Sequence, residues 1–486
     1  MREVKHFING KHVGSVSDRR FANRDPATGV KIGETHEGGH EEIDAAVSAA
    51  RAALRGPWSR LSLDERTAIL HRIADGINAR FDEFLDAECG DTGKPKQVAS
   101  QIDIPRGAAN FSFFAEALKG FAAESFMLDT TDSAGALNYT VRKPKGVIGV
   151  ISPWNMPLLL MTWKVAPALA CGNSVVVKPS EETPTTAALL GEVMNTAGVP
   201  PGVYNVVHGF GPNSAGTFLT EHPDVDAITF TGETSTGETI MRAAANGVRD
   251  ISFELGGKNP GIVFADCDMN KAVAGTLRSV FDNCGQICLS TERLYVERAI
   301  FDEFVVRLKT GAEHLVLGAW NHPGTTLGPL ISQNHRDKVL VYYKRAIEQG
   351  ATVITGGGVP EMPGELAGGA WVQPTIWTGL SDDSVIVREE IFGPCCHVRP
   401  FDSEEEVIAL ANDTRYGLGA ALWSENASRT HRVAQRLDVG VCWVNSWMLR
   451  DLRTPFGGSK HSGIGREGGV HSLEFYTELQ NICVRL

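Results

Sequence analysis

Cys288 is the residue of this sequence whose surroundings best suit a nucleophile. It follows a Gly-Gln pair in the segment 281–290, and the run after it is compatible with a helix. A cysteine thiolate adds to an aldehyde carbonyl, and loss of hydride from the tetrahedral adduct leaves a thioester. Most buried cysteines are structural, however, and Cys284, one helical turn earlier, is a competing candidate. The segment is therefore compatible with covalent catalysis through sulfur, while a structural thiol is the alternative and the choice of cysteine stays open.

A carboxylate lies 34 residues before this cysteine, at Glu254, between apolar neighbours and just before two glycines. Burial would raise its pKa and leave it poised as a general base near neutral pH. Such a base could activate the water that hydrolyses a thioester. The alternative is that Glu254 is a salt-bridged residue of a turn.

Asn155 follows an apolar run, in a rigid turn between Pro153 and Pro157. Open α/β sheets bind ligands at the carboxyl ends of their strands, which is where this turn would lie. The amide of Asn155 could donate to a developing oxyanion, together with the backbone N–H of Cys288. An asparagine that caps its own backbone before a helix is the alternative.

The segment 230–237 follows a predicted strand and opens a predicted helix, as a dinucleotide site does. Its glycines, Gly232 and Gly237, match neither the Rossmann fingerprint nor a P-loop. After an earlier strand, Lys178 and Glu181 offer a cation and a carboxylate that could hold ribose hydroxyls. Because a carboxylate there would repel the extra phosphate of NADP, Glu181 favours NAD.

The elements that must position these residues alternate between short apolar runs and helix-like stretches. This alternation predicts βαβ units around a parallel sheet. The predicted strands of the first series are 147–151, 174–177, 203–207 and 227–230, with helices at about 160–171, 184–196 and 213–221. A second α/β series has strands at 260–264, 293–296, 352–355 and 396–399. Before both, we expect a hairpin at 6–13 and helices at 41–55 and 63–90, the second beginning near Ser62.

Length and composition restrict the class of protein. A chain of 486 residues is too long to fold around a single hydrophobic core, so we expect two large domains. Lys and Arg number 46 against 58 Asp and Glu, and a net charge of -12 disfavours nucleic acid and anionic membranes as partners. The nine cysteines show no zinc-finger or Cys-x-x-Cys spacing, and the N-terminal residues lack the apolar run of a signal peptide. A cytoplasmic protein with a small-molecule partner is expected.

Taken in order, these motifs resemble the aldehyde dehydrogenase superfamily along essentially the whole chain. Further segments that carry the resemblance are 163–164, 167–173, 390–394 (Glu-Ile-Phe-Gly-Pro), 455–460 (Pro-Phe-Gly-Gly-Ser-Lys) and 462–463. The resemblance implies an α/β fold with a Rossmann-like NAD-binding domain, an α/β catalytic domain and a small β oligomerisation arm. The implied bounds are 1–122 and 145–256, then 257–456, then 123–144 with 466–486. The alternating segments 136–142 and 481–486 are interpreted as assembly elements, with packing on their own subunit as an equal alternative.

The same resemblance assigns roles to the catalytic and ribose-binding residues. It makes Cys288 the nucleophile, Glu254 the general base and Asn155 the oxyanion donor, in a mechanism that needs no metal. Lys178 and Glu181 would hold the adenosine ribose of NAD.

The resemblance also assigns the nicotinamide end of NAD. Glu390 would bind the nicotinamide ribose, and Phe392 would pack beside it. Glu233 is a departure, since many relatives carry serine beside the pyrophosphate. The other positions assigned to NAD are Ile151, Ser152, Trp154, Asn155, Ser180, Gly211, Phe230, Gly232, Glu233, Ser235 and Leu255.

Segments 445–455 and 463–469 and the ending 481–483 resemble, within the superfamily, the semialdehyde dehydrogenases that act on 2-hydroxymuconic or 2-aminomuconic semialdehyde. Such substrates carry a carboxylate remote from the aldehyde, and the planar fork of arginine suits it. The resemblance points to Arg106 and Arg450 as substrate-binding residues alongside Asn155, with surface salt bridging as the alternative and Arg453 as a nearby competitor. Ordinary aliphatic or aromatic aldehydes are alternative substrates.

Two other classes of function remain open from the sequence. One is a CoA-acylating dehydrogenase, in which coenzyme A takes the acyl group and the general base is dispensable. The presence of Glu254 argues against it. The other is a non-catalytic structural protein that keeps the fold, which the joint presence of the reactive residues disfavours. A homo-oligomer, either dimer or tetramer, is expected.

Overall fold

The computed structural model describes residues 2–486 and folds them around four β-sheets. The strands are β1 (Arg2–Val4), β2 (His6–Ile8), β3 (Lys11–Val13), β4 (Arg20–Arg24), β5 (Lys31–His36), β6 (Ser125–Leu128), β7 (Ala136–Pro144), β8 (Val147–Ile151), β9 (Ser174–Lys178), β10 (Tyr204–Val206), β11 (Ala227–Thr231), β12 (Asp250–Glu254), β13 (Asn259–Val263), β14 (Thr291–Glu297), β15 (Thr352–Thr355), β16 (Thr375–Thr378), β17 (Cys395–Phe401), β18 (Gly419–Trp423), β19 (Val441–Val444), β20 (Gly463–Ile464) and β21 (Thr477–Arg485).

Sixteen α-helices among the described residues cover or connect these sheets. They are α1 (His40–Ala53), α2 (Leu63–Ala79), α3 (Phe81–Thr92), α4 (Lys96–Gln101), α5 (Asp103–Lys119), α6 (Pro157–Ala170), α7 (Thr185–Thr196), α8 (Ala215–Glu221), α9 (Thr234–Ala244), α10 (Met269–Phe281), α11 (Phe301–Glu313), α12 (Gln333–Glu348), α13 (Val385–Arg388), α14 (Glu404–Asn412), α15 (Ala427–Ala434) and α16 (Gly469–Phe475).

The first large sheet has eight strands in the order β20-β12-β11-β8-β9-β10-β2-β3. Its five central strands, β12 to β10, are parallel, and the predicted βαβ series is confirmed. The predicted hairpin at 6–13 is also confirmed, because β2 pairs antiparallel with β3 and closes one edge of this sheet. The C-terminal strand β20 closes the other edge by antiparallel pairing with β12.

Helices cover both faces of this sheet because its strands are apolar on both sides. Ile148 and Val150 of β8 point into the core formed with α2, α3, α5, α6 and α7. Val147 and Ile151 of the same strand point into the core formed with α1, α8 and α9. Near-continuous apolar strands of this kind are typical of a parallel sheet buried on both faces.

The second large sheet has seven strands in the order β15-β16-β17-β14-β13-β18-β19. It is parallel except for the edge strand β15. The four strands predicted for this region are present as β13, β14, β15 and β17. The strands β16, β18 and β19 were not predicted, and neither was β12 of the first sheet. These strands are only four or five residues long, which leaves little periodicity to detect.

Two three-stranded sheets complete the fold. One joins β1, β5 and β4. The other has the order β21-β7-β6, and its nine-residue strands β7 and β21 pair antiparallel along their whole length, from Thr477 opposite Pro144 to Arg485 opposite Ala136. The two alternating segments thus pair with each other within one chain. Their outer strands β6 and β21 expose Phe126, Met127 and Leu479.

The helical segment predicted over 63–90 begins where it was predicted to begin, after Ser62. Ser62 accepts a hydrogen bond from the backbone of Glu65, and the carboxylate of Glu65 accepts one from the backbone of Ser62, which forms a capping box. The helix predicted over 63–90 is divided at Arg80, whose backbone is non-helical. Among residues 2–486, no helix combines the length and the apolar character needed to cross a membrane.

Candidate active site

Four strand ends place the predicted catalytic and cofactor segments along one edge of the eight-stranded sheet. β8 ends four residues before Asn155, β9 ends at Lys178, β11 ends just before Gly232, and β12 ends at Glu254. Because these strands are parallel, all four ends lie at the carboxyl edge of the sheet.

Cys288 lies in the loop that precedes β14 of the other large sheet. The side-chain amide of Asn259, the first residue of β13, donates to the carbonyl oxygens of Cys288 (2.7 Å) and Ser290 (2.9 Å). These two hydrogen bonds hold the loop against the amino edge of the seven-stranded sheet. The run after Cys288 is not helical: β14, predicted as a strand over 293–296, begins at Thr291 and enters the middle of that sheet.

The structure separates the two candidate cysteines. Asn283 and Cys284 adopt left-handed backbone conformations, with φ of 53° and 57°, so a tight turn separates Cys284 from Cys288 and not the helical turn expected. The side chain of Cys284 is buried in an apolar cluster with Leu330 and Val339. Cys288, by contrast, borders the two cavities described below.

Glu254 is buried at the end of β12, with 4 % of its surface exposed. Neither of its carboxylate oxygens has a hydrogen-bond partner among residues 2–486. Burial, reinforced by the charge of Glu467, raises the pKa of Glu254 well above its usual range. A buried carboxyl with free oxygens and a raised pKa has the properties expected of a general base, and it is not the salt-bridged turn residue of the alternative.

Asn155 reaches across to the loop of Cys288. Its side-chain amide donates to the carbonyl oxygen of Gln286 at 2.9 Å, which leaves its second N–H available. Helix α6 begins after Met156, and its N-terminus receives no side-chain cap, so Asn155 does not have the capping role of the alternative.

Two cavities meet at these residues. One, of about 390 Å³, lies towards the cofactor segments, and the other, of about 250 Å³, lies towards α5 and α6. Cys288, Glu254, Asn155 and Thr231 line both. A reacting carbon at this junction would lie within reach of a thiol, a carboxylate and an amide donor. A ligand in each cavity would meet the other there.

The larger cavity collects many of the residues predicted to bind NAD. Its lining includes Trp154, Gly232, Glu233, Ser235, Leu255, Glu390 and Phe392. Ile151, Ser152, Lys178, Ser180, Glu181, Gly211 and Phe230 lie outside the lining described for residues 2–486.

Glu390 is held through its side chain, and Phe392 is held through its backbone. A carboxylate oxygen of Glu390 accepts a hydrogen bond from the N–H of Gly257 at 2.8 Å. The carboxylate of Glu292 accepts from the N–H groups of Ile391 at 3.0 Å and Phe392 at 2.9 Å, and Glu292 itself pairs with the buried Lys258. The ring of Phe392 lies 5.4 Å from that of Trp154. Burial, together with Glu292, raises the pKa of Glu390 to about 8.

The charged residues around the predicted pyrophosphate and adenosine segments are paired. Glu233 is paired with Lys338 at 3.4 Å, which gives its unusual charge a partner on helix α12. Lys178 and Glu181 form an ion pair at 3.1 Å. A Cβ atom at Gly211 would meet open space, so the chain leaves room beside this segment.

Arg106 and Arg450 both line the smaller cavity. Their guanidinium groups lie 5.7 Å and 5.1 Å from the ring of Trp163, and that of Arg450 lies 3.9 Å from the ring of Phe456. Neither guanidinium group forms a hydrogen bond or ion pair with any of residues 2–486, and the Nε of Arg106 is buried without a partner among them. Arg453, by contrast, pairs with Asp451 at 2.6 Å, and its side chain is 80 % exposed.

Burial, together with the nearby cation of Arg106, lowers the pKa of Arg450 to about 10. The side chain therefore remains cationic at neutral pH. Two cations that stack on aromatic rings, with no ion-pair partner among residues 2–486, have the charge and geometry to bind a carboxylate.

A family model for the aldehyde dehydrogenase family matches residues 12–482. The chain belongs to the aldehyde dehydrogenase family. It is 72% identical, over the whole of both chains, to the 2-hydroxymuconic semialdehyde dehydrogenase of Pseudomonas sp. (strain CF600). It is 58% identical, over 100% of this chain and 99% of the relative, to the 2-aminomuconic 6-semialdehyde dehydrogenase of Pseudomonas sp.. The resemblance inferred from the sequence is thus confirmed.

A solved structure supports the same fold. The NAD+ complex of an aldehyde dehydrogenase from Bacillus cereus superposes with a TM-score of 0.96 at 39% identity, covering 100% of this chain and 97% of that one. The predicted fold class is confirmed.

Several residues at the site were not found by sequence reasoning. Lys164 pairs with Glu467 at 2.5 Å beside Glu254, and Arg278 joins the lining of the smaller cavity. Lys94 donates to the backbone of Asn155. These residues come from segments far apart in the chain, and neither periodicity nor a turn signal marks them as neighbours of the site.

Proposed function

We propose that this protein oxidises 2-hydroxymuconic 6-semialdehyde to the dicarboxylate 2-hydroxymuconate, with NAD as hydride acceptor and through a thioester on Cys288. The observation that carries the proposal is the junction of the two cavities, which Cys288, Glu254 and Asn155 all line. Relatives that share 72% and 68% identity over the full chain bear the name of this activity.

The first half of the reaction is addition and oxidation. The thiolate of Cys288 forms a bond to the aldehyde carbon, and the carbonyl electron pair moves to oxygen. The free N–H of Asn155 and the backbone N–H of Cys288 donate to that oxyanion. The carbonyl then re-forms as hydride leaves the carbon, which is thereby oxidised to a thioester. Bound NAD supplies the hydride acceptor.

The thiol must first lose its proton. Burial, together with the charges of Glu254 and Glu390, raises the pKa of Cys288 to about 12. A cationic ligand in the larger cavity would oppose both carboxylates and favour the thiolate. This dependence would keep the thiol unreactive until the cofactor is bound.

The second half is hydrolysis. Glu254 accepts a proton from water while the water oxygen attacks the thioester carbon, and the carbon–sulfur bond breaks to return the thiolate. Because its oxygens have no other partner among residues 2–486, the carboxylate of Glu254 is free to hold that water.

The residues present fit NAD. Glu390 carries a carboxylate that borders the larger cavity, as ribose hydroxyls require, and the eleven-residue helix α9 directs its N-terminus to that cavity, as a pyrophosphate requires. Lys178 and Glu181 would hold the adenosine ribose, and Glu181 would disfavour the phosphate of NADP. The other positions predicted from the resemblance remain part of this proposal.

The substrate class follows from the smaller cavity. Arg106 and Arg450 would bind the carboxylate remote from the aldehyde, while the aldehyde lies at Cys288. The 2-amino analogue has the same carboxylate and is the second candidate, since a relative at 58% identity is named for it.

We further propose a domain organisation from the sheets. The eight-stranded sheet would be the NAD-binding domain, the seven-stranded sheet the catalytic domain, and the sheet β21-β7-β6 the arm that joins subunits in a homo-oligomer. The exposed apolar side chains of β6 support that role for the arm. A cytoplasmic location is consistent with nine unpaired cysteines.

The test is the rate of NADH formation from NAD and freshly generated 2-hydroxymuconic semialdehyde, with 2-aminomuconic semialdehyde and benzaldehyde in parallel. A kcat/KM for a muconic semialdehyde far above that for benzaldehyde is expected, and the reverse order would refute the substrate assignment. Acceleration by added coenzyme A would favour the acylating reaction instead. Absence of any NADH burst would favour a non-catalytic protein.

A further inference from the structure

A buried ion pair lies behind the oxyanion donor. The side chains of Lys94 and Asp103 are both fully buried, and the Nζ of Lys94 lies 2.7 Å from a carboxylate oxygen of Asp103. The same Nζ donates to the backbone carbonyl oxygen of Asn155 at 3.0 Å. A charged donor in a dry interior makes a strong hydrogen bond, so this contact restrains the peptide that carries Asn155.

A second donor completes the restraint on that peptide. The side-chain amide of Asn283 donates to the carbonyl oxygen of Asn155 at 3.1 Å. Both lone pairs of the carbonyl are thereby engaged, and the side chain of Asn155 is held separately by Gln286. The orientation of the remaining N–H of Asn155 is therefore set by Lys94 and by the loop of Cys288 together.

The partner of Lys94 connects it to the other end of the proposed substrate. Asp103 is the first residue of α5, and Arg106 lies one turn later on the same helix. Through one ammonium group, the structure thus ties the helix that carries Arg106 to the backbone of Asn155.

A neighbouring carboxyl does not compete for Lys94. Burial, reinforced by the charge of Asp103, raises the pKa of Glu88 to about 8. Glu88 accepts a hydrogen bond from the N–H of Leu158, in the first turn of α6, at 3.3 Å. Among residues 2–486, Lys94 forms no hydrogen bond with Glu88, so its ammonium group is directed to Asp103 and to the backbone of Asn155.

We propose that Lys94, paired with Asp103, is a positioning residue that sets the distance between the oxyanion donor Asn155 and the carboxylate-binding Arg106. The inference rests on the proposed function, which assigns those two roles. It accounts for a lysine buried this deeply, where its charge would otherwise only cost desolvation.

The test replaces the pair with apolar residues of similar size, as Lys94→Met with Asp103→Leu. Substituting both members avoids leaving one buried charge unpaired and favours folding. Lys96→Met is the matched control, because Lys96 lies two residues on, has a partly exposed side chain and pairs with Asp86. Three rates are measured: the NADH burst with the carboxylated semialdehyde, the burst with hexanal, and the acylation of Cys288 by p-nitrophenyl acetate, which needs the oxyanion donor but no hydride transfer.

The pair variant is expected to slow all three acylation rates by about 10- to 100-fold, since displacement of a reacting group by about 1 Å costs about 10²-fold. The KM for the carboxylated semialdehyde should also rise relative to that for hexanal, because α5, which carries Arg106, loses its ion pair with Lys94. In an Asn155→Ala background the pair variant should add little to the loss of acylation rate. A merely structural role would lower the rate equally in both backgrounds and leave the KM ratio unchanged, and that result would overturn the inference.

The result for Asn155→Ala separates this inference from the proposed function. If Asn155→Ala slows acylation and the pair variant does not, the role of Lys94 is refuted while the oxyanion assignment stands. If Asn155→Ala itself leaves acylation unchanged, the oxyanion assignment fails. Should the pair variant not fold, Asp103→Asn keeps an oxygen acceptor for Lys94. It is expected to show a smaller change of the same kind, and wild-type rates and KM values would refute the inference.

Discussion

Replacing Arg450 by alanine tests the carboxylate pocket directly. The guanidinium of Arg450 stacks on Phe456 and has no hydrogen-bond or ion-pair partner among residues 2–486, so a substrate carboxylate would be its first anionic contact. Its pKa of about 10 keeps it charged at an assay pH of about 8. A hydrogen bond to a charged group contributes about 1.5–3 kcal/mol. The loss should therefore raise the KM for the carboxylated semialdehyde by about 10- to 150-fold.

The comparison with a neutral aldehyde separates the contribution of the charge of Arg450 from that of its packing. Alanine also removes the packing of Arg450 on Trp163 and Phe456, and hexanal would experience that change as well. The ratio of the two KM values, measured from initial rates of NADH formation, is thus the quantity that reports the carboxylate contact. Arg450→Lys, which keeps the charge but not the planar fork, should give an intermediate ratio.

Arg453→Ala is the matched control because its guanidinium is exposed and already paired with Asp451. It should leave both KM values unchanged, since exposed ion pairs contribute little. If Arg450→Ala raised the KM for hexanal as much as the KM for the carboxylated semialdehyde, the assignment of Arg450 to the binding of the carboxylate would be refuted.

Glu254→Gln should preserve a stopped-flow burst of NADH but slow the steady state by about 10²–10⁴-fold, because deacylation loses its base. In the wild type, burial raises the pKa of Glu254 well above its usual range, so the deacylation rate should rise with pH as Glu254 loses its proton; a pH profile of kcat that stays flat while deacylation limits the rate would contradict the assignment. Cys288→Ala should abolish the burst and Cys284→Ala should retain it; the opposite result would exchange their roles. Glu181→Ser should raise kcat/KM with NADP relative to NAD, and an unchanged ratio would remove Glu181 from cofactor selection.

The fold was predictable where the pattern is local. The parallel strands of the first series are apolar on both faces and are separated by helices. In the sequence they appear as short apolar runs that alternate with helix-like stretches. The prediction missed short strands such as β18, which has five residues and pairs with β13, a strand far earlier in the chain. Pairing with strands distant in the chain overrides a weak local preference.

The sequence by itself determined which reactive groups are present: a cysteine, a carboxyl between apolar neighbours and an amide, in an order that resembles one superfamily. It also determined that parallel strands would bring their carboxyl ends to one edge, because that follows from the alternation of elements. The local segment left Cys284 as a competitor of Cys288, and the family resemblance favoured Cys288.

Only the tertiary structure shows that the two cysteines have different surroundings, because Cys284 is buried in an apolar cluster and Cys288 lies at the junction of two cavities. It also brought Arg106 and Arg450 to the same aromatic ring from opposite ends of the chain. The physical reason is that burial, pKa and the absence of a partner depend on packing between remote segments. A local sequence pattern records only which face of an element is apolar.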